Sequence, residues 1–410
     1  MTASTPQPPS APPASAGSEP ALTGRALART VLDRGALERL GIGWAGVAAL
    51  ALAAPSPAAL SAPLLGAVLA AIVAVIVIAA GGVVAQAEAL ARRLGDPYGT
   101  LVLTLSIVVI EVVLIAAVML GPGEHSTIAR DSIMAVSMII MNLVLGVCLL
   151  VGGLRHGELA VHRVGTSTYL VLLIALSATA FALPAALGTD GSYPPAQAVV
   201  VAAATVGLYA LFLWRQTGAQ AEDFQEVAQV PGTSESAVSE TSASAPEAAA
   251  PAITEVLPRH RQELALRAGL LVATVLPIVL LSHDMAGLLD EGLARLGAPL
   301  ALGGALIAAI VFAPESMTSV RAALGGEIQR VVNLCHGALA STLALTIPTV
   351  LVIGLATSSP VLLAESPANL LLLGVTFAVS AVSAAAPRVT AVHGAVHLML
   401  FVVYALALFS

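Results

Sequence analysis

Eleven apolar stretches recur along the chain, each of about 20 residues and so long enough to cross ~30 Å of hydrocarbon. They lie near 42–60, 62–83, 99–120, 131–153, 166–188, 195–214, 264–282, 299–320, 331–355, 368–386 and 389–409. Lipid offers backbone amides no hydrogen bonds, so such segments must be helices that satisfy their own. Composition agrees: 58% of the 410 residues are hydrophobic and 10% charged, against about 25% charged in soluble domains. That excludes a soluble enzyme, a nucleic-acid binder and a disordered scaffold. The expected fold class is an all-α polytopic membrane protein of about 11 transmembrane helices. Cys148 and Cys335 both lie in apolar runs and are too few for a disulfide framework.

Residues 1–24 are rich in Pro, Ala and Ser and lack the basic head and apolar core of a signal peptide. A disordered tail is expected, running to residue 41, with 42–60 as an extra N-terminal membrane helix. The segment 215–263 holds Glu222, Asp223, Glu226, Glu235, Glu240, Glu247 and Glu255, and its 216–258 core has no Lys or Arg. It reads as a flexible acidic linker. Arginine placement tests the span count. With eleven spans, fifteen of the seventeen arginines fall on one side and only Arg130 and Arg295 on the other. The positive-inside rule then puts the N-terminus and the linker in the cytoplasm and the C-terminus outside, in a plasma (inner) membrane protein.

Five spans follow the linker, an odd number. Two five-span units, 62–214 and 264–410, would therefore insert with opposite orientations, the inverted-repeat plan of many transporters. An internal echo supports this. Ala91-Arg92-Arg93-Leu94-Gly95-Asp96-Pro97 and Ala294-Arg295-Leu296-Gly297-Ala298-Pro299 each open the second span of a unit. Each leads to one glutamate: Glu111 lies 14 residues past Pro97, and Glu315 lies 16 past Pro299.

Those two are the acids placed well inside a span. A charged carboxylate at mid-bilayer costs roughly 2.5–3.5 kcal/mol on insertion scales, so its presence in both halves points to function. Pro314 withholds a helix N–H beside Glu315 and frees carbonyl oxygens there. Asn142 in the fourth span and Asn333 and Ser341 in the ninth are further candidate ligands; helix–helix hydrogen bonding is the alternative for each. His336 reads as a packed histidine, and the His393/His397 pair, at i and i+4, as structural for want of a third ligand. Asp131, at the mouth of the fourth span, suits a helix N-terminus and is otherwise an entry group.

Two carboxylates in a dry site cannot readily both ionise, so protons or a cation must neutralise them. Carboxylate, carbonyl, amide and hydroxyl oxygens form a hard site that suits Ca²⁺, leaves Mn²⁺ open and argues against Cu or Zn. Protons and cation compete for the same oxygens, and an empty charged site is costly to reorient. Cation/proton antiport is the expected outcome. No Gly-x-Ser-x-Gly occurs and no aspartate sits mid-span, so an intramembrane hydrolase is not expected; a channel would need a continuous pore.

The residues also resemble a family. Leu94 to Leu103, Ile110-Glu111-Val112, Ala129-Arg130-Asp131, Asn142 and Leu149 to His156 look like the first half of ChaA-type Ca²⁺/H⁺ antiporters, in the cation/Ca²⁺ exchanger (CaCA) superfamily. Pro314-Glu315-Ser316, Asn333-Leu334, Leu345-Thr346-Ile347-Pro348 and His397-Leu398 continue the likeness. The resemblance implies that Glu111 and Glu315, one per repeat, are the paired ion ligands. It implies Ca²⁺ and H⁺ as substrates, with Na⁺(K⁺)/H⁺ exchange as the alternative and Mn²⁺/H⁺ a further one. The superfamily's Gly-Asn-x-x-Glu signature is replaced here by Ile107-Val108-Val109-Ile110-Glu111 and Ala313-Pro314-Glu315. No cofactor is expected; the partners are inorganic cations, protons and the bilayer, and not nucleic acid.

Overall fold

The computed structural model describes residues 24–53, 56–94, 108–109, 112, 115–116, 119, 126–225, 253–299 and 301–409. In chain order its main helices are α1 (Gly24–Val31), α2 (Arg34–Ala53), α3 (Ala62–Leu94), α4 (Ile128–His156), α5 (Arg163–Leu187) and α6 (Pro195–Thr217). After the linker come α7 (Ile253–Leu296), α8 (Ala301–Gly325), α9 (Ile328–Thr357), α10 (Pro367–Ala385) and α11 (Ala391–Ala407). Among the described residues eight helices are long and apolar enough to cross a membrane, nine with the bent α8. Every expected span overlaps a described helix except 99–120, which lies mostly outside the described residues; the last, 389–409, falls on the shorter apolar α11. Glu111, Gly95-Asp96-Pro97, Ala54-Pro55 and the linker between 226 and 252 also lie outside the described residues.

The N-terminal boundary differs from expectation. Residues 24–31 and 34–41, read from sequence as tail, are helical. The reason is amphipathicity without a long apolar run: Leu27 and Val31 bury against Leu270 of α7, while Arg29 stays exposed. Arg39 donates to the Gly81 carbonyl at 3.1 Å, so α2 begins before its apolar stretch does.

The two repeats are visible in which helices touch. α3 packs on α7, the first helix of one repeat on the first of the other. α4 packs on α11 and α9 on α6, so the third helix of each repeat takes the last helix of its partner. α4 and α9 are innermost, with 83% and 72% of their apolar windows buried, against 11% for the peripheral α2. Small residues let them in, since close backbone approach drives helix association in lipid. The α4–α11 crossing shows how close: a Cβ on Gly394 would lie 2.6 Å from the Gly146 carbonyl oxygen, and one on Gly153 would lie 2.8 Å from Ala391 Cα.

Loops collect at two opposite ends. At one, Arg295 donates to the carbonyls of Leu60 and Pro57, and Leu362 N donates to Ser126 O. Leu363 N and Ala364 N both reach Gly191 O, and Arg130 reaches Ala364 O. At the other, Leu159 and Val389 pair as a short bridge, Arg388 pairs with Glu158, and His156 meets Leu324 O at 3.0 Å. The alternation expected from arginine placement is thus the alternation the chain follows from α4 onward.

Gly394→Ala is expected to lower stability by about 2 kcal/mol or more, because its methyl meets backbone that cannot move aside. Gly374→Ala, with open space around it, should leave the protein unchanged or slightly firmer. Melting of the purified protein in detergent reads both; equal melting temperatures for the two variants would contradict this crossing.

Candidate functional site

Glu315 sits where α8 breaks. The segments Leu302–Ile310 and Glu315–Gly325 meet at 58°, with Pro314 at the junction. A proline supplies no N–H to the carbonyl four residues back, which is a sufficient cause for the bend. The Glu315 side chain is 5% exposed, beside Phe312 at 1%. One turn on, Ser319 shares a hydrogen bond with Cys335 of α9, and Cys335 lies near both Glu315 and Cys148 of α4. Both cysteines are free thiols. The carboxyl therefore lies where α8 meets the two innermost helices.

Asn142 lies in a widened stretch of α4, Ile139–Val144, where the backbone adopts a π-helical turn. Such turns mark functional places in helices because they unseat regular carbonyl–amide pairs. Its amide nitrogen donates to Thr376 Oγ1 of α10 at 2.8 Å, and its oxygen lies 3.1 Å from His397 Nδ1 of α11. The Gly146–Gly394 crossing allows that reach, since it brings the His397 backbone against α4.

Ser341, at the corresponding place in α9, is fully buried; its hydroxyl donates to Gly337 O at 2.7 Å with Ala338 O at 3.0 Å, and Tyr209 of α6 lies near it. Asn333 lies two turns nearer the start of α9 and is held otherwise. Its nitrogen donates to the Phe224 carbonyl at 2.5 Å and its oxygen accepts from Gln329 at 3.0 Å. Gln329 in turn accepts from the His162 amide at 2.6 Å. Asn333 thus ties the first turn of the linker, Ala221–Phe224, to the bundle. Phe224 is buried there against Tyr169 and Phe212, and a Cβ on Gly165 would come within 3.0 Å of the Asp223 carbonyl carbon.

The remaining polar residues sort by their contacts. His336 stacks on Tyr169, with centroids 5.9 Å apart, and meets Val332 O through Nδ1 at 2.9 Å, as a packed histidine should. His393 caps α11: its Nδ1 accepts from the Thr390 amide at 3.0 Å. Asp131 starts α4 and pairs with Arg130 at 2.8 Å, while Arg130 also reaches the buried Glu365 at 3.5 Å. Among the described residues no three His, Cys, Asp or Glu side chains converge closely enough to hold a metal ion. Glu111 lies outside those residues, so its distance to Glu315 is not part of this geometry. Thr376 was missed in the sequence, and so was the pairing of His397 with Asn142. A lone Thr in an apolar helix carries no signal, and a contact across 255 positions has none in spacing.

The family profile described as "sodium/calcium exchanger protein" matches residues 64–218 and 266–410. The chain is 34% identical over 327 residues to the putative ionic transporter y4hA of Sinorhizobium fredii (strain NBRC 101917 / NGR234), covering 79% of this chain and 83% of that protein. It is 27% identical over 332 residues to the sodium-potassium/proton antiporter ChaA of Escherichia coli (strain K12), covering 80% and 85%. Among solved structures, YfkE, a Ca²⁺/H⁺ antiporter, superposes with a TM-score of 0.63 at 14% identity, covering 91% of this chain and 99% of that one.

Asn333→Leu keeps the branched shape and removes both hydrogen bonds, so it should release the Ala221–Phe224 turn. The expected result is faster cleavage at Glu222 by a glutamyl endopeptidase in detergent-solubilised protein. An unchanged rate would show that Asn333 does not anchor this turn.

Proposed function

The chain belongs to the sodium/calcium exchanger family, and from that membership we propose that it is a calcium/proton antiporter of the plasma membrane. In this reading it extrudes Ca²⁺ from the cytoplasm against inward proton flow. That it is a multi-pass cation antiporter, a transporter and not a catalyst, follows from the family. The choice of Ca²⁺ and H⁺ is our inference. The observation that carries it is Glu315: a carboxyl 5% exposed, at a 58° break in a membrane helix, between the two innermost helices of opposite repeats.

A carboxylate there is stable only when something neutralises it. We assign Glu111 as its partner from the other repeat, with Asn142 and Ser341 as the oxygen donors next to them on α4 and α9. Asn333 joins the site only in a conformation that frees its amide from Phe224 and Gln329. In the loaded form the carboxylates hold the cation; in the exchanged form each takes a proton. Both forms are near neutral, whereas the empty ionised pair is not, so reorientation without cargo is disfavoured and exchange is obligatory. The hard oxygen set favours Ca²⁺ over softer ions and leaves Mn²⁺ as a possible cargo.

The proposed division is an N-terminal segment to residue 41 whose 24–31 and 34–41 are helical, an extra membrane helix within 42–60, one repeat at 62–214, an acidic linker at 215–263 that runs into the start of α7, and a second repeat at 264–410. The tail and linker face the cytoplasm and the C-terminus faces outward, on the arginine distribution. A second reading, Na⁺(K⁺)/H⁺ antiport, is favoured by the activity named for the Escherichia coli relative at 27% identity.

Everted membrane vesicles loaded with a quenched pH dye separate these. Addition of CaCl₂ should dequench the dye, and Glu315→Gln and Glu111→Gln should each abolish the response. A response to NaCl or KCl but not CaCl₂ would transfer the assignment to monovalent antiport. No response to any cation would remove antiport.

A further inference from the structure

Three buried side chains join the widened turn of α4 to the last two helices, and their hydrogens can be assigned from the geometry. Thr376 Oγ1 donates to the Leu372 carbonyl at 2.8 Å, which leaves its oxygen to accept from Asn142 Nδ2, also at 2.8 Å. That fixes the carboxamide. Asn142 Oδ1 then faces His397 Nδ1 at 3.1 Å, and an oxygen in that place requires the imidazole proton on Nδ1. Nε2 is buried and has no hydrogen-bond partner within 3.5 Å among the described residues, and the Met141 carbonyl of α4 lies near the same ring. Asn142, Thr376 and His397 are all 0% exposed.

The second repeat is built alike. Ser341 of α9 meets Tyr209 of α6 where Asn142 of α4 meets His397 of α11. In both cases the polar residue on an innermost helix is keyed by a ring from the last helix of the other repeat.

We propose that His397, with Thr376 behind it, is a positioning residue of the transport reaction. The two hold the Asn142 carboxamide in one orientation, so that its oxygen is presented in a fixed direction at the widened turn. An amide oxygen has two lone pairs; His397 takes one and leaves the other for a cation. Partners of this kind, one shell behind a ligand, set its direction and basicity without touching the ion. The inference rests on the assignment of Asn142 as an ion ligand.

The imidazole offers a test that a packing role would not meet. Asparagine places an N–H where Nδ1 stands, whereas glutamine places its amide where Nε2 stands. Half-saturating Ca²⁺ and maximal rate are measured for dye dequenching in everted vesicles, with NaCl in place of CaCl₂ if the wild type answers to sodium. His397→Ala and His397→Gln should raise the half-saturating concentration roughly tenfold with little loss of maximal rate. His397→Asn should restore it to near the wild-type value. In the Asn142→Ala background, His397→Ala should add nothing. Should His397→Ala melt early in detergent, Thr376→Val provides the same reading from the other side of the amide. Equal behaviour of the Asn and Gln variants, additive effects in the double variant, or a wild-type half-saturation in His397→Ala would overturn the proposal. If Asn142→Ala is itself normal, the ligand assignment falls and takes this inference with it. If Asn142→Ala is impaired while His397→Ala is not, only the positioning role is lost.

Discussion

Inside a bilayer a backbone carbonyl or amide has no water to turn to, so each irregularity in a spanning helix must be met by a partner from the chain or serve the cargo. This protein shows both outcomes. In α5, Pro184 withholds an N–H and the turn before it, Ala178–Ala182, widens. Its carbonyls are met from outside: Tyr193 Oη donates to Thr179 O at 2.7 Å, and the Glu365 amide donates to Phe181 O at 3.1 Å. That irregularity is structural and lies near a loop end. The other two, the widened turn at Ile139–Val144 and the break before Glu315, lie on helices that meet in the interior.

What brings those helices together is not the hydrophobic effect, since lipid tails are as apolar as leucine. Glycine contacts do it: Gly304 of α8 lies against Ser132 of α4, Gly152 of α4 against Ala323 of α8, and Gly146, Gly153 and Gly394 form the α4–α11 crossing. Because α4 is keyed to α11 and α9 to α6, each repeat is fastened to the other rather than folded on itself. The peripheral layer of α2, α3 and α7, with α1 lying on α7 through Leu27 and Val31, packs on α8.

Much of this was legible in the chain itself. Apolar length located every described span. Seventeen arginines gave the alternation of loops, and the parity of five spans after the linker gave inverted repeats. Pro314 announced the bend at Glu315 because a missing N–H is written in the residue type. Three things were hidden. The helical start at 24–41 lacked an apolar run: Leu27 and Val31 are buried, with Leu32, Ala36 and Leu40 packed beside them. Asn333 looked equivalent to other mid-span polar residues, yet its partner is a carbonyl of the linker, 109 positions away. His397 looked paired with His393 by spacing, but His393 turns to cap its own helix while His397 reaches across to Asn142. Spacing shows which residues share a helix face; it does not show which helix that face will meet.

The account stands on one cation being shared by Glu111 and Glu315, contributed by opposite repeats. The most direct measurement is anomalous diffraction from crystals of the protein soaked in Sr²⁺, a heavy stand-in for Ca²⁺. One peak should appear about 2.3–2.6 Å from oxygens of both carboxylates. A peak touching only one of them, or two separate peaks each with its own glutamate, would contradict the shared site.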